Sequence, residues 1–233
     1  MMIASVHLVD TGVVKNLTRR VSKPADVPGL LWSGKMLCGQ LGPGALPDVD
    51  LGRGGMVAWW KDDAALDAWW ADDPRAQVYR TGWQTRLRLR RGRASWPNAD
   101  FEVAPSTEPS ATDLHAAVTL GKTRVLRAPR FLKASAGLEE QFVDDPGSVW
   151  GVAITMPPRT VMTLTFWQSM EATDRYIGSG AHGNAMQKHY DFPSDTHEFV
   201  TDGGFFGFEP YAMEGKLGGK NPTPHGFAEL VAP

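Results

Sequence analysis

The stretch MVAWWKDDAALDAWW, residues 56–70, decides the fold, because a second stretch, TLTFWQSMEATDRYI at residues 163–177, follows the same plan. In each, a strand-like apolar run ends in two aromatic residues, Trp59-Trp60 and Phe166-Trp167. A polar turn and a helical pattern follow. Ala65, Asp67 and Trp69 in the first stretch answer Ala172, Asp174 and Tyr176 in the second, a constant 107 residues apart. Asp62-Asp63 and Ser169 with Glu171 stand where a helix N-terminus favours a capping oxygen and negative charge.

The likeness extends outward. Gly29-Leu30-Leu31-Trp32 parallels Gly147-Ser148-Val149-Trp150. We read a tandem repeat of one α+β unit, with residues 1–100 as the first half, 114–213 as the second and 214–233 as an irregular Gly- and Pro-rich tail. A segment rich in Pro, Ser and Thr, residues 97–113, links the halves. Each unit has an antiparallel sheet with helices on one face, a ferredoxin-like plan, and two such sheets face to face make an intrachain, pseudo-dimeric α+β barrel. The alternative is chance similarity between aromatic-rich strand–helix turns.

The remaining segments fit around this frame. Ile3–Val9 and Leu30–Leu37 read as strands. Residues 39–55 hold six glycines and two prolines, which reads as loop. Asp73-Pro74 opens a short helix toward Thr81. Gln84–Arg90 alternates, with Thr85, Leu87 and Leu89 on one side and a wet, basic face of Arg86, Arg88 and Arg90 on the other. In the second half, strands are expected at Ala116–Leu120, Val149–Thr155, Val161–Trp167 and Phe205–Phe208. Helices are expected from Pro129 toward Phe142, at Met170–Ile177 and at Ala181–Tyr190.

Composition narrows the function. With 233 residues, 42% of them hydrophobic, a sizeable core is available. The net charge of −2 argues against a chain-wide nucleic-acid footprint. Cys38 is the one cysteine, so an intrachain disulfide and a multi-cysteine zinc site are excluded. No apolar run approaches the roughly 18 residues of a membrane span, and the N-terminus lacks a basic leader, so the expected location is cytoplasmic. Peripheral membrane contact and homo-oligomerisation stay open. There is no GxGxxG after a strand, Walker loop, HExxH or GxSxG. Residues 39–44 are glycine-rich, but Pro43 and the lack of a following helix make them a poor phosphate cradle.

The candidate chemistry centres on one helix. His182, Met186 and His189 lie at i, i+4 and i+7, on one face. Imidazole and thioether both ligate haem iron, so that face could look into a cofactor pocket; it could equally be ordinary core and surface. At the position 107 residues before His182 stands Arg75, so the repeat loses its symmetry at a histidine. Arg86 or Arg88 could meet an anion such as a haem propionate, or belong to a solvated face. Trp59, Trp60, Phe166 and Trp167 could line the pocket or fill the core. The acidic pairs at 62–63, 72–73 and 144–145 suit caps and turns better than acid–base catalysis.

In order and spacing, these motifs resemble the spheroidene monooxygenase family of carotenoid-modifying enzymes. The resemblance rests on Pro28–Trp32, Lys35–Gly39, the strand ending at Trp60, Ala116–Leu120 with Arg124, Thr163–Trp167 with Glu171-Ala172, His182 with Ala185-Met186, Phe205–Pro210 and Glu214-Gly215. It runs from Ile3 to Pro222. It departs at Gly207, where the family has an arginine, and at Thr155–Pro158, where it has a glycine-rich turn. The resemblance implies a monooxygenase that binds haem b and oxidises an apolar, carotenoid-like substrate at a C–H bond, drawing on an unidentified electron donor. His182 is then the proximal iron ligand and His189 the second choice. Phe166, Trp167, Met186 and Arg86 join them as cofactor contacts. Two other readings keep the barrel: a cofactor-independent monooxygenase, and a non-catalytic carrier of an apolar ligand or haem.

Overall fold

The computed structural model describes residues 1–41, 48–92, 96, 98–123, 138–157, 159–180, 182–184, 187 and 200–223. Eight antiparallel strands close a barrel in the order β1-β3-β2-β6-β7-β5-β8-β4. They are β1 Ile3–Asp10, β2 Leu30–Gln40, β3 Asp48–Trp60, β4 Trp83–Gly92, β5 His115–Thr123, β6 Ser148–Met156, β7 Thr160–Trp167 and β8 Val200–Gly215. Helices α1 (Val13–Thr18) and α2 (Asp63–Asp72) belong to the first half. Helix α3 (138–144) and α4 (Met170–Gly178) belong to the second.

Strand alternation sorts the core into three compartments. Inward residues such as Val6, Val57, Trp59, Leu87, Val118, Leu164, Phe166 and Phe208 fill the barrel. Outward residues of the first half, Ile3, Met56, Ala58 and Trp60, pack against Leu66, Trp69 and Tyr79. In the second half, Ala117 and Trp167 pack with Phe142, Ala172 and Tyr176. Adjacent aromatics therefore part company. Trp59 and Phe166 point into the barrel, whereas Trp60 and Trp167 point out to the helices.

Matching positions of the two halves share local devices. The β2–β3 register slips between Leu30 and Trp32, and the β6–β7 register slips between Ser148 and Trp150. The Asp62 carboxylate accepts from Ala65 N at 2.9 Å, and Ser169 Oγ accepts from Ala172 N at 3.2 Å, capping α2 and α4. The strand starts pass so close to these helices that a Cβ on Gly29 would lie 2.5 Å from Ala65 Cβ, and one on Gly147 2.6 Å from Ala172 Cβ.

Several expectations are corrected. Residues 48–55 are not loop: β3 begins at Asp48 and runs through its glycines. A Cβ at Gly55 would lie 1.9 Å from the His7 carbonyl oxygen, so glycine serves close strand approach there instead of breaking the strand. The short helix at 74–81 is a turn followed by a 3₁₀ segment, Gln77–Thr81. Helix α1 was not expected; Asn16 holds it, donating to the carbonyls of Leu51 at 2.9 Å and Arg53 at 3.1 Å. The closing strand spans Val200–Gly215, far beyond Phe205–Phe208, with Pro210 beside a register slip where its missing N–H is tolerated. The expected helix before residue 138 lies outside the described residues, as does most of Ala181–Tyr190; only 182–184 and 187 are described there, and they are helical.

The basic face of β4 is only partly exposed, and its arginines are engaged. Arg86 pairs with Asp63 and Asp67 on α2, Arg88 stacks over Tyr211, Arg90 pairs with Glu209, and Arg91 pairs with Asp174 on α4. The arginines fasten the helices and β8 to the strand.

Candidate functional site

An apolar cavity of about 250 Å³ lies in the second half, between the outward face of β5, β6 and β7 and the helices above it. Its sheet side includes a run of small residues, Ala117, Thr119, Gly121, Ala153, Thr155, Thr163 and Thr165, flanked by Val161, Trp167 and Phe205. Leu138, Phe142, Thr173, Tyr176, Ile177 and His182 close it from the helical side.

The corresponding space in the first half is full. Register relates His7, opposite Met56 and four residues back from Trp60, to Thr119, opposite Thr163 and four back from Trp167. On the helices, Leu66, Trp69 and Trp70 answer Thr173, Tyr176 and Ile177. Each exchange shortens the second-half side chain. In the first half His7 is fully buried, stacked on Trp70 at 5.4 Å and edge-on to Trp69 at 5.3 Å. Burial, with the Arg86 guanidinium nearby, lowers its pKa to about 3.

His182 is buried at the cavity wall. Its backbone N–H donates to Gln141 Oε1 at 3.1 Å, and its ring packs 4.9 Å from the Tyr176 ring. Nδ1 lies 3.2 Å from the Ile177 carbonyl oxygen, which can only accept, so Nδ1 carries the proton. Burial lowers the imidazole pKa and outweighs the Ile177 bond, which raises it. The ring is thus neutral near pH 7, with the lone pair on Nε2. That is the tautomer of a metal-ligating histidine held through its other nitrogen. Gln141 steadies the same turn, its amide donating to Ser179 O at 3.2 Å.

The other candidate residues separate. Trp167 lines the cavity and donates through Nε1 to Thr165 Oγ1 at 2.9 Å. Phe166 points into the barrel, edge-on to Trp83 at 5.9 Å, as the period of two along a strand requires of Trp167's neighbour. Arg86 is engaged by the α2 carboxylates of the first half and does not line the cavity. Met186 and His189 lie outside the described residues. At Gly207 the neighbouring His115 ring takes the space: a Cβ there would lie 2.8 Å from His115 Nε2. Sequence reading missed Gln141, Tyr176 and the threonine floor. The available signal was the run of large-to-small exchanges between the two halves.

Among the described residues, no group of three His, Cys, Asp or Glu side chains is placed to hold a metal ion. None of their helices is long and apolar enough to cross a membrane.

No family model and no curated protein matches the chain. Solved structures do. An aldoxime dehydratase bound to butyraldoxime superposes with a TM-score of 0.55 at 8% identity, covering 90% of this chain and 79% of that one. A second aldoxime dehydratase gives 0.53 at 11% identity, covering 90% and 81%. The chain shares its barrel fold with these enzymes. A monooxygenase-like protein from Listeria innocua aligns over 89% of this chain and 94% of its own at 10% identity, with a TM-score of 0.35.

Proposed function

We propose that the chain is a haem-dependent, monooxygenase-like oxidoreductase that oxidises an apolar, carotenoid-like substrate at a C–H bond, with the second-half cavity as its site. The observation that carries this is His182, a neutral imidazole fixed through Nδ1 in the wall of an apolar cavity. We extend the reading to the architecture: residues 1–100 and 114–213 are tandem ferredoxin-like units. The paired register slips, helix caps and glycine–alanine contacts support it.

His182 fits the role of an iron ligand. His182 supplies a neutral nitrogen with its proton held on Nδ1, and the surrounding walls are mostly apolar, with Glu139 and threonines among them. Bound there, haem b would supply oxygen activation. The chain's own residues do the rest. Ile177 and Gln141 orient His182; the Ile177 carbonyl keeps the proton on Nδ1. Phe142, Trp167 and Tyr176 exclude water from the reacting end of the substrate. The threonines of β7 give the floor weakly polar positions without charge.

The test is titration of hemin into the purified protein. A saturable Soret band is expected, and His182→Ala is expected to weaken hemin affinity at least about tenfold while leaving the far-UV circular dichroism unchanged. A titration that shows only the broad absorption of free hemin, with no saturable shift to a Soret band, would overturn the haem reading.

One observation favours a second reading, oxidation without a metal. The cavity's described lining holds no Lys or Arg to meet haem propionates, and 250 Å³ suits a smaller ligand. Substrate-dependent oxygen uptake by colourless protein decides for it.

A further inference from the structure

A second cavity, of about 610 Å³, opens where β2 passes the β6–β7 turn. It lies within the size range of small-molecule and cofactor sites. Two features set it apart from the cavity at His182. First, Lys35, Lys122 and Arg159 line it, and no carboxylate is among its described lining residues. Lys35 Nζ donates to the Leu17 carbonyl, a neutral acceptor, at 2.6 Å. Partial burial, and to a smaller extent the Arg19 guanidinium, lowers the Lys35 pKa. Second, Trp32 and Trp96 both line it, edge to face with ring centroids 5.6 Å apart. The partly buried Trp32 rests on the buried Trp96, which makes an anchored aromatic wall.

Lys35 and Arg159 beside indoles, with no carboxylate among the described lining residues, match one ligand chemistry: a flat aromatic ring that carries an anionic group. The ring stacks on indole and the anion meets the ammonium and guanidinium groups. We infer that this cavity binds such a molecule, a planar heteroaromatic phosphate of the flavin mononucleotide type. The inference stands apart from the haem reading, since it uses none of the residues around His182. The two cavities lie on opposite faces of the same strands. Gly121, Thr155 and Val161 line one, their chain neighbours Lys122, Met156 and Thr160 line the other, and Leu120 borders both.

The test uses the full chain at low salt, without hemin or substrate. Flavin mononucleotide and riboflavin are titrated separately, and quenching of flavin fluorescence is read. Saturable quenching is expected for the phosphate, with riboflavin at least about tenfold weaker because it lacks the anion. The Lys35→Met/Arg159→Gln double variant should lose at least about tenfold in affinity for the phosphate and change little toward riboflavin. Absence of saturable quenching up to millimolar ligand, equal affinity for both flavins, or an unaffected double variant would each overturn the assignment.

Discussion

His7 and Thr119 occupy the same register position on opposite sides of the barrel. His7 sits opposite Met56 under a lid of indoles, and Thr119 sits opposite Thr163 beneath an open cavity. One fold therefore presents a filled and an open version of the same space.

Filling the open version with first-half side chains should close it. Thr163→Met with Thr173→Leu places in the cavity the residues found at Met56 and Leu66. The expected result is loss of apolar-ligand binding at the second half with a melting temperature equal to or above wild type, since added methylenes enter existing space. Calorimetry with an apolar ligand, alongside thermal melts, checks both parts. A large fall in melting temperature would mean that the space is not available.

Acid should destabilise the protein well above the carboxylate range. Burial depresses the pKa of His7 to about 3, of His115 to about 4, and that of His182 below its usual value. In the unfolded chain all three protonate near pH 6.5. Their neutral forms are fully accommodated above that pH, and stability falls as pH drops from about 6.5 toward the depressed values. Each histidine contributes a slope of at most about 1.4 kcal/mol per pH unit. Urea midpoints at pH 7, 5.5 and 4.5 measure it, and His115→Asn should flatten the curve.

Gly55→Ala should cost at least about 3 kcal/mol or prevent soluble expression, because its Cβ would meet the His7 carbonyl at 1.9 Å within the β1–β3 pairing. Gly178→Ala, at the end of α4 with nothing within 4 Å of the added carbon, should stay within about 0.5 kcal/mol of wild type. Denaturant titration of the pair separates close approach from a general effect of losing glycine.

Arg90 holds the segment between the halves. It pairs with Glu209, only 2% of whose side chain is exposed, and donates to the carbonyls of Ser106, Glu108 and Pro109. Glu209 also accepts from Ala111 N at 2.7 Å. Arg90→Met leaves a buried carboxylate without its cation and should cost about 3–5 kcal/mol. Limited proteolysis should then cut within residues 104–112 faster than in wild type. Unchanged cleavage would show that the segment is held by other contacts.

What could be read in the sequence was what is local. The aromatic pair at a strand end, the Asp62 and Ser169 caps and the helices after them depend on neighbours in sequence, and they appear where expected. The likeness between halves pointed to the barrel by the same local signals. What escaped depends on distant partners. Gly55 reads as a breaker until β1 is beside it. The arginines of β4 read as a wet face until Asp63, Asp174, Glu209 and Tyr211 arrive from elsewhere. Phe166 is a different case: strand alternation already places it and Trp167 on opposite faces. That the His182 face could look into a pocket was read from its residue types, but the residues that shape the cavity were not. Threonine, alanine and glycine on a strand leave no periodic mark, and the space they create depends on what fails to cover them.

Two seams close the barrel between its halves. The β2–β6 seam pairs Leu37–Gln40 with Val152–Thr155, and the longer β4–β8 seam runs along nearly all of β4. Both join parts of one chain. In a barrel assembled from two identical chains, any substitution appears on both sides, so neither could be packed solid without closing the other. Covalent linkage lifts that constraint. One side can be packed solid, with His7 sealed beneath Trp69 and Trp70, while the other keeps its cavity at His182.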